Sequence, residues 1–208
     1  MSSTKNEPSE VEIIKENSKG LLGTIAQGLA DGTDKFGEDD KQLLKFHGIY
    51  QQKDRDKRPE GEGEKLHSFM LRGRIPGGHL TADQYLAWDY LGERFGGGAL
   101  RLTTRQSIQL HGLLKRDLKA VMREIHRVGL TSVGACGDVV RNVTEAINVS
   151  GSQLYAQLPH YSVMLSDYFK FESTSYVEIW LDDVQQNPVV EERLYGKTYL
   201  PRKFKIAV

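Results

Sequence analysis

The chain has 208 residues, 38% of them hydrophobic, and its 28 basic and 28 acidic side chains give a formal net charge of zero and a pI near 7.0. That length suffices for one or two domains with real cores, while the balanced charge argues against a protein that works by coating phosphate backbones, which needs a basic excess. The single cysteine, Cys136, excludes an internal disulfide or a thiolate cluster built from this chain alone, and with no run of about 18 apolar residues and no charged-then-apolar leader the composition points to a reducing, cytoplasmic home.

Residues 1–18 are polar and charged without apolar periodicity, which predicts a mobile tail or an arm that packs late. Residues 19–65 read as an N-terminal arm and linker. Within them, 20–30 predicts a short helix, 31–40 an acidic loop and 46–52 a strand. Residues 53–65, nearly all charge, glycine and proline, predict a solvated connection. From His67 the pattern alternates strand and helix. Residues 67–75 predict a strand ended by the turn Pro76, Gly77, Gly78. Thr81 is a helix N-cap, followed by Tyr85, Trp88, Leu91 and Phe95 at helical spacing up to the glycines at 96–98. Residues 100–104 and 107–111 are strand-like. Leu114, Leu118, Val121, Met122 and Ile125 form the apolar stripe of a second helix that stops at Gly129, with a further strand expected after Leu130. The order β-α-β-β-α over residues 66–130 is the grammar of a ferredoxin-like α+β half-domain. Residues 131–208 read as the beginning of a second α+β domain: a helix at 150–168 interrupted by Pro159, a strand at 176–181, and another starting at 203. The pattern stops within that last strand, as expected of a piece of a longer protein.

Four short segments carry the cations of interest: Arg72 and Arg74 in FMLRGR, Arg101 and Arg105 in RLTTRQ, Arg141 in DVVRNV, and Arg202, Lys203 and Lys205 in YLPRKFK. They sit among β-formers, so alternation places them on one face of a sheet. Cations gathered there repel one another unless an anion neutralises them, which predicts a concave pocket for a polyanion. The plainer reading of each is a solvated or salt-bridged strand arginine. His47, His67, His79, His126 and His160 lack metal-ligand spacing and read as structural or surface residues. Cys136 in GACGD reads as a small buried residue, and FGGG at 95–98 as a helix stop, since its spacing is not a dinucleotide fingerprint.

FMLRGRIPGG, GALRLTTRQSIQLHG, GACGDVVRNV and YLPRKFK, in that order and spacing, with LLKFHGIYQQKDRD upstream, resemble the N-terminal half of the assimilatory sulfite reductase hemoproteins, within the siroheme and 4Fe-4S nitrite/sulfite reductase family. The likeness runs from about residue 21 to 208. It implies a ferredoxin-like nitrite/sulfite reductase half-domain followed by the start of the siroheme-binding α+β domain, and a share in the six-electron reduction of sulfite to sulfide at siroheme bridged to a 4Fe-4S cluster. By the same resemblance Arg72, Arg141, Lys203 and Lys205 surround the distal face of the iron, bind the substrate oxygens and supply protons or stabilise charge as S–O bonds break. Arg101, Thr103, Arg105, Gln109 and His111, with Arg141 and Lys203, would hold the siroheme carboxylates, which are very costly to bury without paired cations. His111, between Leu110 and Gly112, also has the reading of a satisfied core residue. Cys136 does not match a cluster position. The family's paired cysteine motifs lie in a C-terminal half absent from these residues, so the chain alone is expected to be inactive.

Two other functions compete. Assimilatory nitrite reductases share the architecture and siroheme, but the resemblance implies that both lysines of the KFK triplet go with sulfite, the second being commonly neutral in nitrite reductases. A non-catalytic RNA-binding module of ferredoxin-like type is disfavoured, since no RNP1-like stretch and no basic excess accompany the sheet. The electron donor is open between an NADPH-oxidising flavoprotein subunit and ferredoxin.

Overall fold

A computed structural model describes residues 8–53, 66–148, 151–182, 200 and 202–208. Three short helices, α1 (Glu10–Asn17), α2 (Ile25–Ala30) and α3 (Glu38–Leu43), precede an antiparallel sheet of four strands in the order β1-β2-β4-β3. The strands are β1 (Ile49–Lys53), β2 (His67–Arg72), β3 (Arg101–Leu102) and β4 (Ile108–Leu113); helix α4 (Ala82–Arg94) follows β2 and α5 (Leu118–Arg127) follows β4. The run β2-α4-β3-β4-α5 is the predicted β-α-β-β-α order, an α+β arrangement with the helices covering one face of the sheet. Two later helices, α6 (Leu158–Tyr168) and α7 (Ser175–Leu181), complete the set. No helix among the described residues is long and apolar enough to cross a membrane.

Local chemistry fixes these elements. The Thr81 hydroxyl accepts from the Gln84 amide at 3.2 Å while Gln84 accepts from the Thr81 amide at 3.0 Å, a reciprocal cap that satisfies two donors left over at a helix start. Trp88 and Leu91 of α4 are buried with Leu118, Val121, Met122 and Ile125 of α5 and with Phe69, Leu71, Ile108, Leu110 and Leu113 of the sheet. Tyr85 and Leu114, which the spacing assigns to the same stripes, are instead exposed. Leu110 and Leu113 are three positions apart, so a regular strand would send them to opposite faces. The register steps from Leu71↔Leu110 to Phe69↔Leu113, and Gly112 takes the extra place at φ 77, a bulge that only a residue free to adopt positive φ accommodates cheaply.

Several expectations are corrected. The stretch read as a tail forms α1 from Glu10 onward, started by a Ser9–Glu12 capping box and anchored by buried Lys15, which lies 3.8 Å from Asp138 and over the Phe46 ring. The strand expected from residue 46 begins only at Ile49, because Ile49 donates to Leu44 O at 2.9 Å and closes a turn over the intervening residues. Residues 176–181, read as a strand for their β-formers, form α7: Tyr176, Ile179 and Trp180 are buried at i, i+3 and i+4, one helical face. Pro159 sits in the first turn of α6, where its missing N–H has no helical partner to lose, so it opens that helix and does not interrupt it. The strands expected after Leu130 and from Lys203 reduce to isolated bridges, Arg74↔Thr131, Val140↔Phe204 and Thr144↔Ala207. The solvated connection falls almost wholly on residues 54–65, outside the described ones.

Candidate functional site

The face of the sheet away from α4 and α5 carries the polar set. Ile108 and Leu110 of β4 point into the core while Gln109 and His111 are half-exposed. Gln109 pairs in register with Arg72 on one side and Arg101 on the other, so strand alternation sets Arg101, Gln109 and Arg72 in a row across three strands. The Gln109 side-chain atom nearest Arg72, 2.8 Å from Nε and 2.5 Å from Nη2, faces only donors, so the amide is assigned with its oxygen there and its NH2 donating to His111 Nε2 at 3.2 Å. The reverse orientation would set an NH2 against two guanidinium donors. Arg72 Nη1 donates to the Cys136 thiol at 3.2 Å.

A second group comes from the loop that follows Leu130. Asn142, fully buried, accepts from Ile75 N at 2.8 Å and donates to Ile75 O at 2.7 Å and Arg105 O at 2.8 Å. It thereby ties the end of β2 to the β3–β4 turn and presents Arg141 beside them. Arg141 donates through Nε to Gly137 O at 3.2 Å. Arg105 spends Nη2 on the carbonyls of Asn142 and Ile206, and its buried Nε has no partner among the described residues. Thr103 shapes the same turn, accepting from Arg105 N at 3.2 Å. Arg72, Thr103, Arg105, Ser107, Ala135, Arg141 and Asn142 enclose a cavity of about 40 Å3. Arg141 also borders a larger open pocket of about 560 Å3 together with Lys45, Tyr50, Gly137, Asp138, Arg202 and Lys203.

The structure therefore brings Arg72, Arg105 and Arg141 to one cavity and Arg141 and Lys203 to the other, with Arg101, Gln109 and His111 on the adjoining strands. Lys203 is placed by its neighbour, since Phe204 N donates to Val139 O and Arg141 N donates to Phe204 O, both at 3.1 Å. Lys205 is exposed and lines neither cavity. Arg74, also in FMLRGR, is elsewhere: it is buried and bonded to Ser166, Gly134 and Val140.

Ion pairs are unevenly distributed over the described residues. Lys15, Lys41, Lys115, Lys119, Arg123, Arg127 and Lys170 each have a carboxylate within 4.0 Å. Among the described residues none lies that close to Arg72, Arg101, Arg105, Arg141, Lys203 or Lys205. Burial, with Arg141 as a neighbour, lowers the Arg105 pKa; burial and then the charges of Arg101 and Arg72 lower that of His111. The Cys136 thiol is pushed up by burial despite Arg72 and Arg141 nearby, so it is a neutral acceptor, not a thiolate ligand. Such a site can take up a polyanion without displacing any internal ion pair. Sequence reasoning did not single out Tyr50 or Asn142. Tyr50 is placed by the pairing of β1 with β2, level with Met70, which no local pattern shows, and Asn142, a lone amide between an arginine and a valine, gave no signal either.

Residues 61–128 match the family model described as "Nitrite/Sulfite reductase ferredoxin-like half domain". Over 96% of its length the chain is 46% identical to a protein of Oceanobacillus iheyensis named sulfite reductase (NADPH) hemoprotein beta-component, and 47% identical to the protein of that name in Staphylococcus carnosus. It spans 36% of the length of each of these relatives. A solved structure, the NirA protein of Mycobacterium tuberculosis, superposes over 97% of this chain and 35% of its own with a TM-score of 0.65 at 20% identity, a likeness of fold.

Proposed function

We propose, for a chain that belongs to the nitrite/sulfite reductase hemoprotein family, that it supplies the cationic, substrate-side part of a sulfite reductase and needs a 4Fe-4S cluster held by cysteines it does not itself contain. The observation that carries this reading is the convergence of Arg72, Arg105 and Arg141 on a cavity lined by no carboxylate among the described residues, with Lys203 alongside in a larger pocket that Asp138 also borders. That donor set fits siroheme, whose several carboxylates would find cations already gathered and uncompensated. Bound there, siroheme would supply the iron and conjugated macrocycle through which six electrons reach sulfite. Arg101, Thr103, Arg105, Gln109 and His111 would border its carboxylates, with Arg141 and Lys203 shared between cofactor and substrate.

Arg72, Arg141 and Lys203 then bind the sulfite oxygens, and Lys205, which lines neither cavity, joins them by the family resemblance alone. As each S–O bond breaks, charge grows on the departing oxygen, and cations fixed in advance stabilise it without reorganising at that moment. Arg72 and Arg141 act by charge and hydrogen bonding, whereas a lysine ammonium can also hand a proton to that oxygen and recover it from water. NADPH in the names of the relatives favours a flavoprotein reductase partner over ferredoxin.

The full-length protein, purified under reducing conditions, tests this. Siroheme absorption and sulfide formation from sulfite are expected. A colourless protein with salt-dependent RNA affinity would replace the reading with the RNA-binding module.

A further inference from the structure

The row Arg72, Gln109, His111 is a hydrogen-bond chain with a fixed direction. A guanidinium has only donors, so it takes the amide oxygen of Gln109 and forces the NH2 toward His111 Nε2. An imidazole facing an NH2 at that nitrogen must accept, so its proton resides on Nδ1. Charge reinforces this: Arg101 from β3 and Arg72 from β2 both face the ring and oppose a further positive charge. On the other side, Cys136 takes Arg72 Nη1. Arg72 is thus held at Nε, Nη2 and Nη1 by neutral acceptors, which fix its position without spending its charge.

We propose that Gln109 is a positioning residue that locks His111 as a neutral Nδ1–H donor and presents Arg72 as an uncompensated cation. This positioning role is compatible with the cofactor contact that the family resemblance gives Gln109, because the NH2 uses only one of its two hydrogens on His111. The proposal deepens the reading of this site and rests on it only where sulfite is used.

Gln109→Glu tests it with almost no change of shape. A carboxylate there accepts from Arg72 and from a protonated His111 alike, so it neutralises the first and favours the imidazolium of the second. In cofactor-free full-length protein, the rate at which diethyl pyrocarbonate modifies His111, resolved by peptide mass spectrometry from about pH 5 to 8, follows the neutral ring. The wild type is expected to stay reactive at the acid end, whereas the variant loses reactivity about one pH unit or more higher. In the loaded enzyme the same variant is expected to raise KM for sulfite roughly tenfold or more, with kcat changing less. Coincident modification profiles, including a ring unreactive in both proteins, would overturn the relay even if sulfite turnover persisted. A wrong substrate assignment would leave the shift in profile intact while abolishing the kinetic effect.

Discussion

Trp180 donates its indole N–H to Nδ1 of His47 at 3.1 Å, and the opposite nitrogen of that ring lies 3.1 Å from Leu21 O. Accepting at Nδ1 fixes the proton on Nε2, so both nitrogens are satisfied only in the neutral ring. Burial lowers the His47 pKa from 6.5 to about 4. The folded state therefore binds fewer protons than the unfolded one between these values, and stability is fully present above about pH 6.5 and falls as pH drops toward 4. The whole window is worth about 3 kcal/mol. Denaturant midpoints measured across it are expected to decline in the wild type and to stay nearly level in His47→Gln. Asp31, held at about 2 chiefly by Lys115, contributes only below that window.

Arg74 and Arg72 stand two residues apart in FMLRGR and have different tasks. Arg74 is buried, donating to Ser166 Oγ at 2.9 Å, Ser166 O at 2.7 Å and the carbonyls of Gly134 and Val140 at 3.2 and 3.0 Å, which pins α6 and the loop after Leu130 to the end of β2. Arg74→Met leaves those carbonyls buried without donors and is expected to cost about 3 kcal/mol. Arg74→Lys should recover little, because one ammonium cannot span the fork. Arg72→Met, at the half-exposed neighbour, is expected to cost under about 1 kcal/mol. Urea unfolding of the three variants separates these outcomes.

Asn142→Leu removes the amide that joins Ile75 to the β3–β4 turn. It strands one backbone N–H and two or more carbonyls in the interior, with an expected loss of about 3 kcal/mol. Because the same amide sets Arg105 and Arg141 around their cavity, siroheme retention should fall with it. Parallel measurement of the unfolding midpoint and of cofactor absorbance checks both effects.

The half-domain was legible because its signals are local and agree with one another: Thr81 with Gln84 for a cap, Leu118, Val121, Met122 and Ile125 for a face, and a strand pair separated by a turn. The site was partly legible. Alternation gives the polar face of Gln109 and His111, but the pairing that seats Arg72 and Arg101 on either side of Gln109 is a property of strand order. Nothing local distinguishes buried Arg74 from Arg72, since the difference is made by Ser166, 92 positions away. Helix α7 was misread because Tyr, Val, Ile and Trp favour strands, whereas the burial of Tyr176 and Trp180 against His47 selects the helical period. Tertiary contact overrode propensity there.

Arg141→Ala and Lys203→Ala are expected to lower sulfite turnover by about two orders of magnitude or more in the full-length enzyme, the scale set by losing a fixed stabiliser of transition-state charge. Loss of siroheme would imitate this, so occupancy is measured from absorbance alongside the rate. Normal turnover at full occupancy would remove both residues from the mechanism.

Lys205 bears on the choice between sulfite and nitrite. It is exposed and has no carboxylate within 4.0 Å among the described residues, and its neighbour Ile206 gives its carbonyl to Thr144 N at 3.1 Å and to Arg105 Nη2 at 3.0 Å, which fixes the backbone there beside the cationic loop. A sulfite dianion gains more from an additional ammonium than a nitrite monoanion does, because Coulomb attraction scales with the product of the charges. Exposure weakens both interactions through solvent screening but preserves their ratio. Lys205→Asn is therefore expected to lower kcat/KM for sulfite by more than for nitrite, and the preference between the two anions should shift by about threefold to tenfold. Raising the salt concentration should shrink that difference if the effect is electrostatic. An equal fall for both anions would mean that Lys205 acts through folding or cofactor placement, and would remove the residue that most favours sulfite over nitrite.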